Sequence, residues 1–138
     1  MSVFVLDASY ALTWCFLDRA TANTDAMLKR MEERTASAIV PWVWQLEVSN
    51  VLGKAVVKGK VALPQAMDIW NELTLLPIRQ VGIGTGIPEL LRLAVEQNLS
   101  VYDTCYIQAS LVSGIPLATN DHKLQFAAEA CGITVLTP

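Results

Sequence analysis

The sequence predicts an α/β protein of three layers, a short parallel sheet with helices on both faces. Three observations predict it. Short apolar runs alternate along the whole chain with longer amphipathic segments. Each strand candidate is separated from the next by at least one helix candidate, the pattern of a parallel sheet. Two of the strand candidates lead within two residues to an aspartate that also opens a helix, Asp7 and Asp121. With 138 residues, the chain has the length of one domain with a single core.

Val3-Phe4-Val5-Leu6 is a continuous apolar run ended by Asp7 and reads as a buried first strand. Ser9 is a good N-cap for a helix over Ala11 to Leu17, which contains no Gly or Pro. Thr24 to Arg34 reads as a more polar helix, and Ala38-Ile39-Val40 before Pro41 as a short strand. Val43 to Lys58 is the clearest helix; it tolerates Gly53 at a cost of roughly 1 kcal/mol relative to Ala, and Gly59 ends it. Pro64 to Leu75 is a helix with proline in its first turn, and Ile78 to Val81 a strand. Thr85 to Asn98 and Asp103 to Val112 are helices, the second closed by Gly114. Pro116 to Thr119 is a strand leading to Asn120-Asp121, His122 to Ala130 a helix capped by Gly132, and Ile133 to Leu136 the last strand.

Composition narrows the function. A hydrophobic share of 53% and a mean hydropathy of +0.39 are high for so short a chain, so oligomerisation or a partner-covered surface is expected. The longest apolar candidate, Val3 to Leu17, contains Asp7 and falls short of the roughly 20 residues that span a bilayer, so no membrane association is expected. The first residues carry no basic stretch before the apolar run, unlike a secretory signal, and a cytoplasmic location is expected. Cys15, Cys105 and Cys131 are odd in number and widely spaced, which argues against a disulfide framework or a structural zinc site. The net charge of −3 argues against nucleic-acid binding. That argument weakens if several acids share a cation, which reverses the local charge that a phosphate meets.

Open α/β sheets place ligands beyond the carboxyl ends of their strands, where Asp7 and Asp121 both lie. Either acid alone is adequately explained as a helix cap. Two equivalent placements on one sheet bring both to the same rim. Glu47, Asn50, Lys54 and Lys58 form a narrow polar stripe on their helix, beside an apolar arc of Val48, Val51, Leu52, Ala55 and Val56. The stripe is read either as a solvated face or as a carboxylate and amide followed by two lysines suited to phosphates. Asp103 opens another helix and is read, on its own, as a further cap. His122 beside Asp121 reads as an exposed helix-start residue. Four tryptophans, Trp14, Trp42, Trp44 and Trp70, read as core packing or as an apolar groove or dimer face.

The segments VLDAS, LEVSNVL, YDTCYIQAS and LATNDHKL occur in the order and spacing of PIN domains. From Val3 to about Leu136, the chain resembles the VapC-type toxins of bacterial and archaeal type II toxin-antitoxin modules. The resemblance implies a PIN-like fold and assigns acidic metal-site roles to Asp7, Glu47, Asp103 and Asp121. Its small polar positions fall on Ser9, Asn50 and Thr119, and Lys54 and Lys58 are candidate phosphate contacts. Where some members carry a fifth acid, this sequence reads His122-Lys123-Leu124-Gln125, so a second metal lacks that ligand. The resemblance further implies RNA cleavage leaving a 5′ phosphate and a 3′ hydroxyl, a homodimer, and a cognate VapB-like antitoxin that inserts near the site.

The chemistry is consistent with that implication. Four carboxylates within about 5 Å of one another would repel by roughly 3 kcal/mol per pair at an effective dielectric near 20. A divalent cation compensates, and oxygen-only ligands suit Mg²⁺ or Mn²⁺ better than Zn²⁺. Three rival readings are weaker. A HAD-like phosphohydrolase needs a second Asp two residues after the first, where Ser9 stands. A receiver domain normally has paired acids, and Ala8 follows Asp7. A catalytically silent PIN scaffold would not require all four acids.

Overall fold

The computed structural model describes residues 1–138. Five strands form one sheet in which every pair is parallel: β1 (Ser2–Leu6), β2 (Ala36–Pro41), β3 (Ile78–Val81), β4 (Leu117–Ala118) and β5 (Val135–Leu136), in spatial order β3-β2-β1-β4-β5. Seven α-helices flank it: α1 (Ala8–Ala11), α2 (Ala22–Glu32), α3 (Val43–Val57), α4 (Leu63–Thr74), α5 (Ile87–Gln97), α6 (Val101–Ser113) and α7 (His122–Ala130). The chain first winds outward from β1 through β2 to β3, then returns through α5 and α6 to β4 on the other side of β1. Right-handed crossovers therefore put α1 to α4 on one face and α5 to α7 on the other. The order reverses between β1 and β4, so a crevice opens at their carboxyl ends.

The core lies between these layers. Phe4, Val5 and Leu6 of β1, Ile39 and Val40 of β2 and Leu117 of β4 are buried against Val48 and Leu52 of α3 and Tyr106 and Ile107 of α6. Both faces of the central strands are covered, so their sequences are continuously apolar and do not alternate. Trp44 of α3 and Trp70 of α4 pack with ring centroids 5.8 Å apart and join those two helices. Trp42 remains exposed.

Most elements fall within a residue or two of the sequence expectation, but the first helix is shorter and the caps of α1 and α6 fall on other residues. The helix expected from Ser9 to Leu17 is one turn long. Asp7, not Ser9, holds the N-cap position, and after Ala11 the chain tightens into 3₁₀ turns at Leu12–Trp14 and Leu17–Arg19. Two hydrogen bonds hold the tightened segment, one local and one to the next helix: Thr13 donates its hydroxyl to the carbonyl of Tyr10 at 2.6 Å, and the Trp14 indole donates to the carbonyl of Thr24 at 2.9 Å. Helix α6 begins two residues before Asp103, because Ser100 caps it by accepting from the Asp103 amide at 3.0 Å. It ends at Gly114, whose φ of +66° suits a residue without Cβ. No helix is long and apolar enough to cross a membrane.

Candidate metal centre

Asp7 follows β1 directly and is buried at the β1/β4 crevice. Its backbone stays in the sheet, donating to the Ala118 carbonyl at 3.0 Å, so the carboxylate is fixed relative to both strands. Ser9 and Thr119 each donate a hydroxyl to Asp7 Oδ2, at 2.5 and 2.7 Å, and lie 3.2 Å from each other. The network continues outward: the Asn120 amide donates to Ser9 Oγ at 2.9 Å and the Asp121 amide to Thr119 Oγ1 at 3.0 Å. Oδ2 is thus saturated, whereas no hydrogen bond reaches Oδ1.

Burial foremost, against the lowering effect of the two hydroxyls, pushes the Asp7 carboxyl up to about 7; the charges of Glu47 and Asp103 add to the rise. Burial likewise raises Glu47, which also faces the charge of Asp103, and raises Asp103, which faces Asp121. These mutual effects link the four acids in one field, with Asp7 at its buried end. Asp103 has one cationic neighbour, Lys123, which pulls the other way.

The four acids differ in their structural duties. Asp7 makes no capping hydrogen bond although it occupies the cap of α1, and the cap of α6 belongs to Ser100, so neither Asp7 nor Asp103 is explained as a helix cap. Asp121 is a cap: its Oδ1 accepts from the Leu124 amide at 3.0 Å, and its side chain is exposed. Glu47, half-buried on the second turn of α3, receives the hydroxyl of Tyr106 on its Oε1 at 2.6 Å.

Tyr106 joins the site although it is not among the sequence candidates. It lies three positions after Asp103, hence on the same face of α6, and that spacing was the available signal. Its side chain is fully buried, and burial, with the charges of Asp7 and Glu47, holds its hydroxyl protonated and therefore a donor.

The remaining sequence candidates fall elsewhere. Asn50, Lys54 and Lys58 do not join the acids; they line an open groove of about 620 Å³ farther along α3. His122 is exposed on the first turn of α7, with no hydrogen bond to the acids.

The donor set fits a hard divalent cation in chemistry, since it consists of carboxylates and hydroxyls with Asp7 Oδ1 uncommitted. It is not preassembled: no group of three or more His, Cys, Asp or Glu side chains is already drawn together tightly enough to hold a metal.

The sheet order, the helices on both faces and this rim define a PIN-like α/β/α fold, as the sequence motifs implied. Solved structures similar to it include PAE2754 from Pyrobaculum aerophilum, at a TM-score of 0.73 and 22% identity over 97% of this chain and 83% of that one. A second is VapBC2 from Rickettsia felis bound to a DNA fragment from their promoter, at 0.68 and 12% identity over 98% of both chains. A third is a toxin-antitoxin complex from Klebsiella pneumoniae, at 0.54 and 13% over 88% of this chain and 87% of that one. At these identities the likeness is one of fold. No protein-family model and no curated protein matches the sequence.

Proposed function

We propose that this chain is a divalent-cation-dependent endoribonuclease of the PIN type, the toxin of a VapBC-type pair. The observation that carries the reading is the coupled acidic rim: Asp7, Glu47, Asp103 and Asp121 stand at the carboxyl edge of the sheet, and neither Asp7 nor Asp103 caps a helix with its side chain. Asp7 and Asp103 would hold Mg²⁺ or Mn²⁺ directly, with Glu47 and Asp121 completing the shell or orienting water. Bound there, the ion would supply a deprotonated water at neutral pH and stabilise charge on the scissile phosphodiester.

The protein's own groups prepare that chemistry. Ser9 and Thr119 fix the rotamer of Asp7 by occupying Oδ2 and leave Oδ1 free of hydrogen bonds. Tyr106 fixes Glu47 in the same way through Oε1. Asp121 keeps Oδ1 on the α7 amide, which leaves its second oxygen for a ligand or a water. Asn50, Lys54 and Lys58 extend from Glu47 along α3 as contacts for an RNA strand.

Partner binding is supported by the surface. Ile87, Leu91 and Val95 form an exposed apolar row on α5, and an apolar groove of about 390 Å³ runs between α3 and α4 past Met67 and Trp70. These faces suit a homodimer and a VapB-like antitoxin, in keeping with cytoplasmic action on RNA. The test is incubation of a mixed RNA pool with the protein and Mg²⁺ or Mn²⁺. Cleavage lost on adding EDTA is expected; cleavage that persists in EDTA would refute the metal-dependent reading.

A further inference from the structure

A second cluster of charge lies away from the acids. Arg19, Lys54, Lys58 and Lys60 line a cleft of about 140 Å³, with Asp18 and Phe16 among its walls. The chain has ten Lys and Arg residues and a net charge of −3, so four cations around one small cleft make a local excess against the overall sign. None of the four is in an ion pair: the salt bridges are Lys29 with Glu33 and Arg92 with Glu89 and Glu96. Asp18 lines the cleft without closing on any of them.

The negative end of the α3 dipole accounts for Lys54 in its last turn and Lys58 at its cap. It does not account for Arg19, which arrives from the 3₁₀ turn Leu17–Arg19 and stands over the Phe16 ring at 5.0 Å from its centroid. The polar stripe of α3 connects the two regions, from Glu47 at the acidic rim to Lys58 at the cleft, eleven residues or about 16 Å of helix.

We propose that this cleft is a phosphate-binding subsite that holds the backbone of the RNA strand running from the acidic rim along α3, with Arg19 and Lys60 as contacts beyond Lys54 and Lys58. The inference rests on RNA being the substrate. Unpaired cations from separate segments, in line with the rim, suit a single-stranded phosphodiester backbone.

The test is binding of a labelled single-stranded RNA of mixed sequence in EDTA, where no cleavage intervenes, as a function of salt. For Arg19→Ala with Lys60→Gln, the slope of log affinity against log salt should become shallower by about 1.4, roughly 0.7 for each lost contact. Affinity should fall roughly tenfold at low salt, irrespective of RNA sequence. Both side chains are exposed, so folding is preserved. Unchanged affinity and slope would overturn the subsite, while Mn²⁺-dependent cleavage by the same wild-type protein would leave the nuclease reading standing. Displacement by inorganic phosphate as effective as by RNA of equal phosphate concentration would make the cleft a free-anion site and overturn the strand path. A wild-type protein that neither binds nor cleaves RNA would overturn both readings.

Discussion

The hydroxyl of Tyr106 donates to Glu47 Oε1 at 2.6 Å and so ties α6 on one face of the sheet to α3 on the other. One hydrogen bond thereby links two helices that each carry an acid of the rim, Asp103 on α6 and Glu47 on α3. Tyr106→Phe keeps the ring and deletes the tie. Cation affinity measured by calorimetry with Mn²⁺ should fall roughly tenfold, the usual effect of losing a group that orients a ligand. Folding stability should fall by about 1 to 3 kcal/mol, because the acceptor is charged.

Thr119 has a similar place on the other side of the rim. Its hydroxyl donates to Asp7 Oδ2 and accepts from the Asp121 amide, joining the ends of β1 and β4. Thr119→Val preserves shape but leaves a buried carboxylate oxygen with one donor and an amide with none. A loss of about 2 kcal/mol in urea unfolding is expected, and Thr119→Ser should restore most of it.

The acids should separate by their duties in the fold. Asp121 caps α7, so Asp121→Ala should cost about 1 kcal/mol of stability while Asp121→Asn, which also caps, costs little. Asp103→Ala should leave stability unchanged or raised, because Ser100 caps α6 and a partly buried charge is removed. Thermal melts of the three variants measure the contrast.

Asp7 makes the metal-free protein sensitive to pH. Its carboxyl is near 3.8 when unfolded and about 7 when folded, so between those values the folded state binds the extra proton. Stability is therefore fullest at and below about pH 4 and is lost as pH rises through 7, by roughly 4 kcal/mol for this group. Denaturant midpoints in EDTA should fall from pH 5 to pH 8 in the wild type, with a flatter profile in Asp7→Asn. Added Mn²⁺ should restore the wild type at pH 8 and leave the variant unaffected.

Much of this was legible in the sequence because period and punctuation agree with the tertiary structure. The run Val3 to Leu6 is apolar on both faces because both faces are covered, and its aspartate falls at the rim because the strand ends there. The α3 stripe follows from helical period alone, and the buried positions Val48, Leu52 and Ala55 match its apolar arc. What was not legible depends on contacts distant in the chain. The tightened segment after Ala11 is held partly by Trp14 reaching Thr24, and the role of Tyr106 depends on a helix fifty-nine residues away. Arg19 joins Lys54, Lys58 and Lys60 only once the segment after β1 packs beside the end of α3.

The central claim, that the coupled carboxylates cut RNA through a divalent cation, is tested most directly by the cleavage rate of a labelled RNA over a Mn²⁺ series for the wild type and Asp7→Asn. The wild-type rate should rise to saturation with Mn²⁺, and the folded variant should be at least about a thousandfold slower at every concentration. Cleavage by Asp7→Asn at the wild-type rate would contradict it.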